Sequence, residues 1–343
     1  MTCVKKCKTA ESFLNELSLT NKNWYEKSDR KCNWIFRGQN NSAYDLIPSI
    51  HRNLICLNKF DEIMGDSIPG VPMLGVAISN MIAGTSIQSK FKDRLELIIK
   101  NAFIEIKLID EFLMRANSIG LVVPTLNLFP KQYNEINSVD YFYGVLHEYI
   151  NNFIYIDKEQ TSLRENFHPN GNNAFPYIPL VEYFFPQATA LAQHHGILTR
   201  YLDWTTDPLI AAFFSIRGVN SSATQQNICV WALNTKYLRY GTLKGEVKLH
   251  KRLQRVGLEF LHKQKGLFTE MVGAESYYYH NAKWPNLEQY LQASNYYEGG
   301  LVKIELPKSK ATDVAHILNN MGVNEYSLMP TYDKVAQSIV LLP

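Results

Sequence analysis

The segment "LAQHHGILTRYLDWTTDPLIAAFFSI", residues 191–216, places His194, His195, Thr199, Arg200, Asp203, Trp204, Thr205 and Asp207 within fourteen positions. Groups of these types can bind an anion, move a proton, or hold one another. Asp207-Pro208 has the form of a helix N-cap followed by proline at the first helical position. The wholly apolar "LIAAFFSI" after it reads as a buried helix. The unpaired N–H groups and positive dipole end of that helix favour an anion. Arg200, just upstream, can clamp phosphate in bidentate fashion. The alternative is mutual satisfaction, with Arg200 paired to Asp203 or Asp207 and a histidine held by a structural hydrogen bond. Adjacent histidines point in different directions on a helix, so at most one of His194 and His195 is expected to face a given pocket. The pair makes no metal site, because no carboxylate or cysteine stands at ligand spacing. A buried loop can hold this many polar groups only if they satisfy one another or a ligand.

A second chemical signal lies far upstream in "WIFRGQNNSAYDLIPSI", residues 34–50. Arg37 follows a strand-like apolar run and precedes Gly38. Its guanidinium either waits for an anionic ligand or spans to Asp203 and locks the fold, since a buried cation needs a partner. The basic stretch "KGEVKLHKRLQR" (244–255) could meet an acidic substrate such as nucleic acid, but a solvated helix face is the reading preferred. "SNYYEGG" (294–300) fits a cleft wall or a surface loop equally. Five scattered cysteines, Cys3, Cys7, Cys32, Cys56 and Cys229, do not form a disulfide framework. Cys3 and Cys7 resemble half a zinc site with no second pair, so no metal is expected.

These groups sit in a chain of 343 residues, 46% hydrophobic and 20% charged, which is the composition of a folded globular protein. A net charge of +3 is too small to imply a nucleic-acid binder by itself. The first ten residues hold no apolar core of signal-peptide length. The apolar stretch 67–84 contains two prolines, three glycines and an asparagine, and so reads as a loop or buried segment rather than a membrane span. The expected address is the cytoplasm, with no membrane partner. Periodicity predicts helices over "TAESFLNELS" with Thr9 as cap, over 91–117, over 139–154, after Pro186 with Gly196 as stop, and over "KATDVAHILNNMGV". It predicts strands at "NWIFRG", 227–234 and 300–307, with "AQSIVLLP" as a last strand; 166–179 reads as a loop. The whole fits one α+β domain over 1–343. A mixed or antiparallel β core occupies about 10–56 and 180–340, and a helical insertion about 57–179.

"WIFRGQ…YDLIPSI.R" resembles the opening of FRG domains, a bacterial family named for the Phe-Arg-Gly found here at Phe36, Arg37 and Gly38. The 191–216 block looks like that family's most specific motif. "HKQKGLFTE" (262–270) and "MGVNEYSLMPTYDKVA" (321–336) are similar to two later ones, with Met329 where an aromatic residue is usual. A remoter resemblance is to ADP-ribosyltransferases, whose order of aromatic-Arg-Gly strand, Ser/Thr-ended strand with helix, and later catalytic Glu is followed by "IFRG", "YLDWTTDPLIAAFF" and "QKGLFTEM". That resemblance implies an ADP-ribosyltransferase-like fold with NAD as substrate. It implies a transferase or NAD glycohydrolase acting as a toxin or phage-defence effector on a protein or nucleic acid. Arg37 would serve the diphosphate and Gly38 the close approach of backbone. Gln39, His194, Arg200 and Asp203 would complete the binding set, and Thr205 or Thr206 would supply the ribose-contacting hydroxyl. Gln264 or Glu270 would stand at the catalytic position and His195 near the nicotinamide as acid or base. No Glu-x-Glu occurs near 264–270, and Gln264 could not act as a base. Two other classes fit the same residues: a non-catalytic module sensing a nucleotide or peptide, and a nuclease using His195 and Asp203, the latter without the clustered carboxylates of a two-metal site.

Overall fold

The computed structural model describes residues 2–18, 20–25, 32–52, 58–65, 73–124, 144–153 apart from 145, 148 and 152, 186–219, 226–236, 238, 247–251, 253, 258–292, 299–333 and 336. Seven strands form one mixed sheet in the order β1-β7-β4-β2-β3-β6-β5. They are β1 Cys3–Lys6, β2 Trp34–Gln39, β3 Tyr201–Thr205, β4 Asn227–Asn234, β5 Val247–His250, β6 Gly266–Met271 and β7 Leu301–Pro307. β1 runs parallel to β7, and every other neighbouring pair is antiparallel.

Alternation decides which face each strand turns to which layer. Ile228, Val230 and Ala232 of β4 join Val302, Ile304 and Leu306 of β7 and Phe36 of β2 on one side. That side is covered by the helices Ala10–Leu17, Pro208–Ile216 and Ala311–Asn320. The expected cap Thr9 forms a reciprocal capping box with Ser12. The other face carries Ile35, Leu202, Trp204, Trp231, Leu233 and Leu267. It packs under the thirty-residue helix Ser89–Ser118, whose Leu95, Ile98, Ile99 and Ile106 form one buried stripe.

The buried alternative holds for one stretch, and the expectation for another changes. The stretch 67–84 contains a ten-residue helix, Leu74–Ala83, that buries Leu74, Ile78 and Ile82. No helix among the described residues is long and apolar enough to cross a membrane. The basic stretch at 244–255 supplies a strand rather than a solvated helix face. Its residues 247–250 pair with β6, turning Val247 and His250 inward and Lys248 outward. Pairing to a partner strand overrides the weak helical pattern of so short a segment. The described residues of 144–153 are helical, as expected. The loop at 166–179, nearly all of "AQSIVLLP" and most of "SNYYEGG" lie outside the described residues.

Gly38 shows how closely the layers approach. A Cβ there would lie 2.0 Å from the Ala211 carbonyl oxygen and 2.5 Å from the Ser215 amide nitrogen. The glycine is required by the Pro208–Ile216 helix lying on β2, not only by any ligand. Gly38→Ala should force strand and helix apart and destabilise the chain by about 1–3 kcal/mol or more, read as a lower urea midpoint at an unchanged slope.

Candidate functional site

β2 follows β4 through six register pairs, and β3 follows β6 through five, but β2 and β3 share only Phe36 with Thr205. Past that pair the two strands diverge. A cavity of about 610 Å³ lies between them. Arg37, Gly38 and Gln39 form its β2 wall, and Asp203, Trp204 and Thr205 its β3 wall. Gln193, His194 and His195 enter from the end of the helix Pro186–His194, while Ala211 and Phe214 rise from the helix behind β2. Phe260, Leu261, Gln264 and Gly266 close the β6 side, and Tyr44, Arg52, Arg217 and Met329 also line it.

The cavity's formal charges are unequal. Among the described residues Arg37, Arg52 and Arg217 face it with a single carboxylate, Asp203, and Arg217 is also paired with Glu325 at 3.4 Å. Arg37 Nη1 bridges the gap between the strands, donating to the Asp203 carbonyl oxygen at 2.8 Å and to Asp203 Oδ2 at 3.3 Å. Arg37 Nε is buried without a hydrogen-bond partner among the described residues. Arg52 makes no hydrogen bond or ion pair among the described residues. Its pKa is pushed down by partial desolvation and then by the Arg37 guanidinium, with Asp203 acting the other way. Two cations that repel across a shared acid favour an anion between them.

Asp203 is aimed by its neighbours. Gln193 Nε2 donates to Asp203 Oδ2 at 2.8 Å, and Gln193 Oε1 accepts from Thr199 Oγ1 at 2.6 Å. The carboxylate only accepts, so the nitrogen end of the amide must meet it and the oxygen end is left to the threonine hydroxyl. Both histidines line the cavity, contrary to the expectation of one. The helix ends at His194, so His195 lies in the following turn and escapes the helical rotation. Its ring packs 5.8 Å from Phe112. Burial lowers the His194 pKa, and His195 lowers it further, which keeps His194 a neutral proton acceptor at pH 7.

Four expected contributors do other work. Arg200 is buried away from the cavity: Nε reaches Glu105 Oε2 and Nη1 reaches Glu275 Oε1, each at 2.8 Å. Among the described residues its ion partners are these glutamates and not Asp203 or Asp207. Glu270 also lies outside the cavity lining, 2.9 Å from His250 Nε2. Burial pushes its carboxyl up, but the hydrogen bond with His250 and the Arg200 charge outweigh that and hold it low. The Thr205 hydroxyl is spent locally, donating to the Gln264 carbonyl oxygen at 2.7 Å and accepting from the Asp207 amide at 3.0 Å. Thr206 is exposed and does not line the cavity. The start of the Pro208–Ile216 helix is occupied by the chain itself: Asp207 accepts from the Leu209 amide and pairs with Lys265 at 2.8 Å. The helix tip therefore already has its anion, and the cavity meets that helix at Ala211 and Phe214 instead.

Gln264 does line the cavity, but its side chain is an uncharged amide, 3.5 Å from the Leu328 carbonyl oxygen. Sequence reading did not single out Gln193, Tyr44, Arg52, Arg217, Phe214 or Phe260. The signals available were Arg52 at the close of the 34–52 motif and Gln193 one residue before the histidines. No group of three or more His, Cys, Asp or Glu among the described residues could hold a metal ion. The FRG domain family model matches residues 131–224, which include the 191–216 block. No curated protein and no solved structure matches the chain.

Proposed function

We propose, from the FRG domain that this chain carries, that the cavity between β2 and β3 binds a nucleotide diphosphate, with NAD as the substrate. On this reading the protein is an ADP-ribosyltransferase or NAD glycohydrolase, a bacterial toxin or phage-defence effector acting on a protein or nucleic-acid acceptor. The observation that carries it is the charge imbalance among the described residues: around about 610 Å³, Arg37 and Arg52 face one carboxylate, Asp203, while Arg217 is paired with Glu325. That volume lies in the range of small-molecule sites. Arg37 and Arg52 suit a diphosphate, and Tyr44, Phe214 and Phe260 offer apolar faces to flat rings.

In such a reaction nicotinamide leaves the ribose carbon with the bonding electron pair, and water or an acceptor adds there and gives up its proton. Asp203 is the only acid on the cavity wall among the described residues, so it takes the part of the negative group opposite the developing positive charge. Gln193 and Arg37 hold it in place. His194 is the group suited to receive the proton, because burial keeps it neutral. Glu270 takes no part, being sealed against His250.

A second reading is favoured by that same seclusion of Glu270: a module that binds the nucleotide as a signal and turns nothing over. Nicotinamide release from NAD decides between them. For the enzyme, Asp203→Asn should reduce release about 10²–10³-fold with a smaller effect on NAD affinity. NAD binding by calorimetry without any release establishes the sensor instead. Absence of binding to both NAD and ADP removes the nucleotide reading altogether.

A further inference from the structure

The β2 wall of the cavity has a fixed polarity. Arg37 and Gln39, two residues apart, point to the same side of β2, and their register partners on β4 are Trp231 and Cys229. Trp231 is buried, and its indole Nε1 donates to Gln39 Oε1 at 2.8 Å. The Cys229 thiol lies 3.8 Å from the same oxygen. An indole N–H can only donate, so the oxygen end of the Gln39 amide must be the end that faces Trp231. The nitrogen end is turned away and has no partner among the described residues. Trp231 is itself held from the next strand, where Lys303 Nζ sits 4.8 Å from its ring centre.

From this arrangement we infer that Trp231, acting through Gln39, makes the β2 wall a donor-only subsite for the diphosphate of the ligand. The inference rests on the nucleotide reading above and adds which group of the ligand meets which wall. A guanidinium and an oriented amide N–H₂ side by side offer hydrogens and no acceptor. Sugar hydroxyls and nucleobase edges carry donors as well as acceptors and so waste part of such a wall. Phosphate oxygens are acceptors only. Gln39 is thus a binding residue and Trp231 a positioning residue.

The test is calorimetric titration of ADP, and of inorganic pyrophosphate, into the wild type, Gln39→Glu, Gln39→Leu, Trp231→Phe and the Trp231→Phe/Gln39→Leu double variant. Melting temperatures confirm that each is folded. Gln39→Glu keeps an acceptor for Trp231 but turns a negative oxygen to the ligand, and should weaken both ligands at least about tenfold. Trp231→Phe releases the amide to rotate and should weaken ADP by about three- to tenfold. In the Gln39→Leu background the same change at Trp231 should have no further effect, which a general packing role would not produce. A folded Gln39→Glu protein that binds ADP as the wild type does overturns the inference. So does a Trp231→Phe effect that persists undiminished in the Gln39→Leu background. Wild-type protein that binds neither ADP nor NAD instead overturns the nucleotide reading on which the inference rests.

Discussion

Replacing Arg37 by alanine should weaken NAD and ADP binding by roughly 100-fold or more and leave a folded protein. Two effects act in the same direction. The cavity loses the guanidinium that bridges β2 and β3, and a charge-assisted contact to phosphate contributes about 1.5–3 kcal/mol. Asp203, now without the cation 3.3 Å from its Oδ2, becomes an uncompensated negative charge facing the incoming anion. The penalty to folding is smaller. Arg37 contributes one bond to the Asp203 backbone oxygen, while its side-chain partner is 47% exposed and screened by water. The melting temperature should therefore fall by only a few degrees. Arg37→Lys keeps the charge but not the fork, so its affinity should lie between wild type and alanine. Wild-type affinity should fall with added salt, and the alanine variant's should do so less steeply. Collapse of the fold in Arg37→Ala, seen by circular dichroism, would mean that the guanidinium is a lock between β2 and β3 and not a ligand group.

What could be read from the sequence follows from how local the physics is. β4 is a continuous apolar run buried on both faces and β7 alternates along most of its length, and both were legible, β4 residue for residue. The Ser89–Ser118 helix was legible to within two residues, because its stripe repeats over many turns. β1 was not, since "CVKK" is short and mostly exposed and becomes a strand only by lying beside β7. β5 was not either, because four residues are too few to show a pattern, although Val247 and His250 are buried. Asp207 was recognisable as a cap, but not that Lys265, 58 positions on, would neutralise it there. Arg200 was visible as a cation near two aspartates. Its real partners stand 95 and 75 positions away, on elements whose docking no local pattern encodes. The pairing of Arg37 with Asp203 is one of the two alternatives the sequence leaves open, and the structure contains it while Arg37 Nε has no partner among the described residues. Arg52 closes the 34–52 motif but received no role, because an arginine on so short a helix carries no signal until that helix is placed opposite Arg37.

The largest loss of stability is expected from Arg200→Met. Arg200 joins three elements: its own β3 entry, Glu105 on the Ser89–Ser118 helix, and Glu275 on the helix Ala274–Asn281. Glu105 is fully buried, and Glu275 is 4% exposed. Burial already pushes both carboxyls above the usual range, with Arg200 pulling them back. Methionine fills much of the volume but leaves both acids without their cation. Breaking a buried pair in this way costs about 3–5 kcal/mol, a large share of the roughly 5–15 kcal/mol that holds a typical domain. The sign of the pH response identifies the cause. With Arg200 gone, the folded-state carboxyls rise further above their unfolded value. Between those two values the folded chain keeps protons that the unfolded chain has shed, so the variant should gain stability as pH falls from 7.5 toward 5.5. Urea midpoints at the two pH values would show this gain against the wild type, and Glu105→Gln with Glu275→Gln in the same chain should restore much of the loss at pH 7.5. Because Arg200 stands outside the cavity, the folded fraction of Arg200→Met should bind ADP as the wild type does. A hundredfold loss of affinity there would return Arg200 to the ligand site.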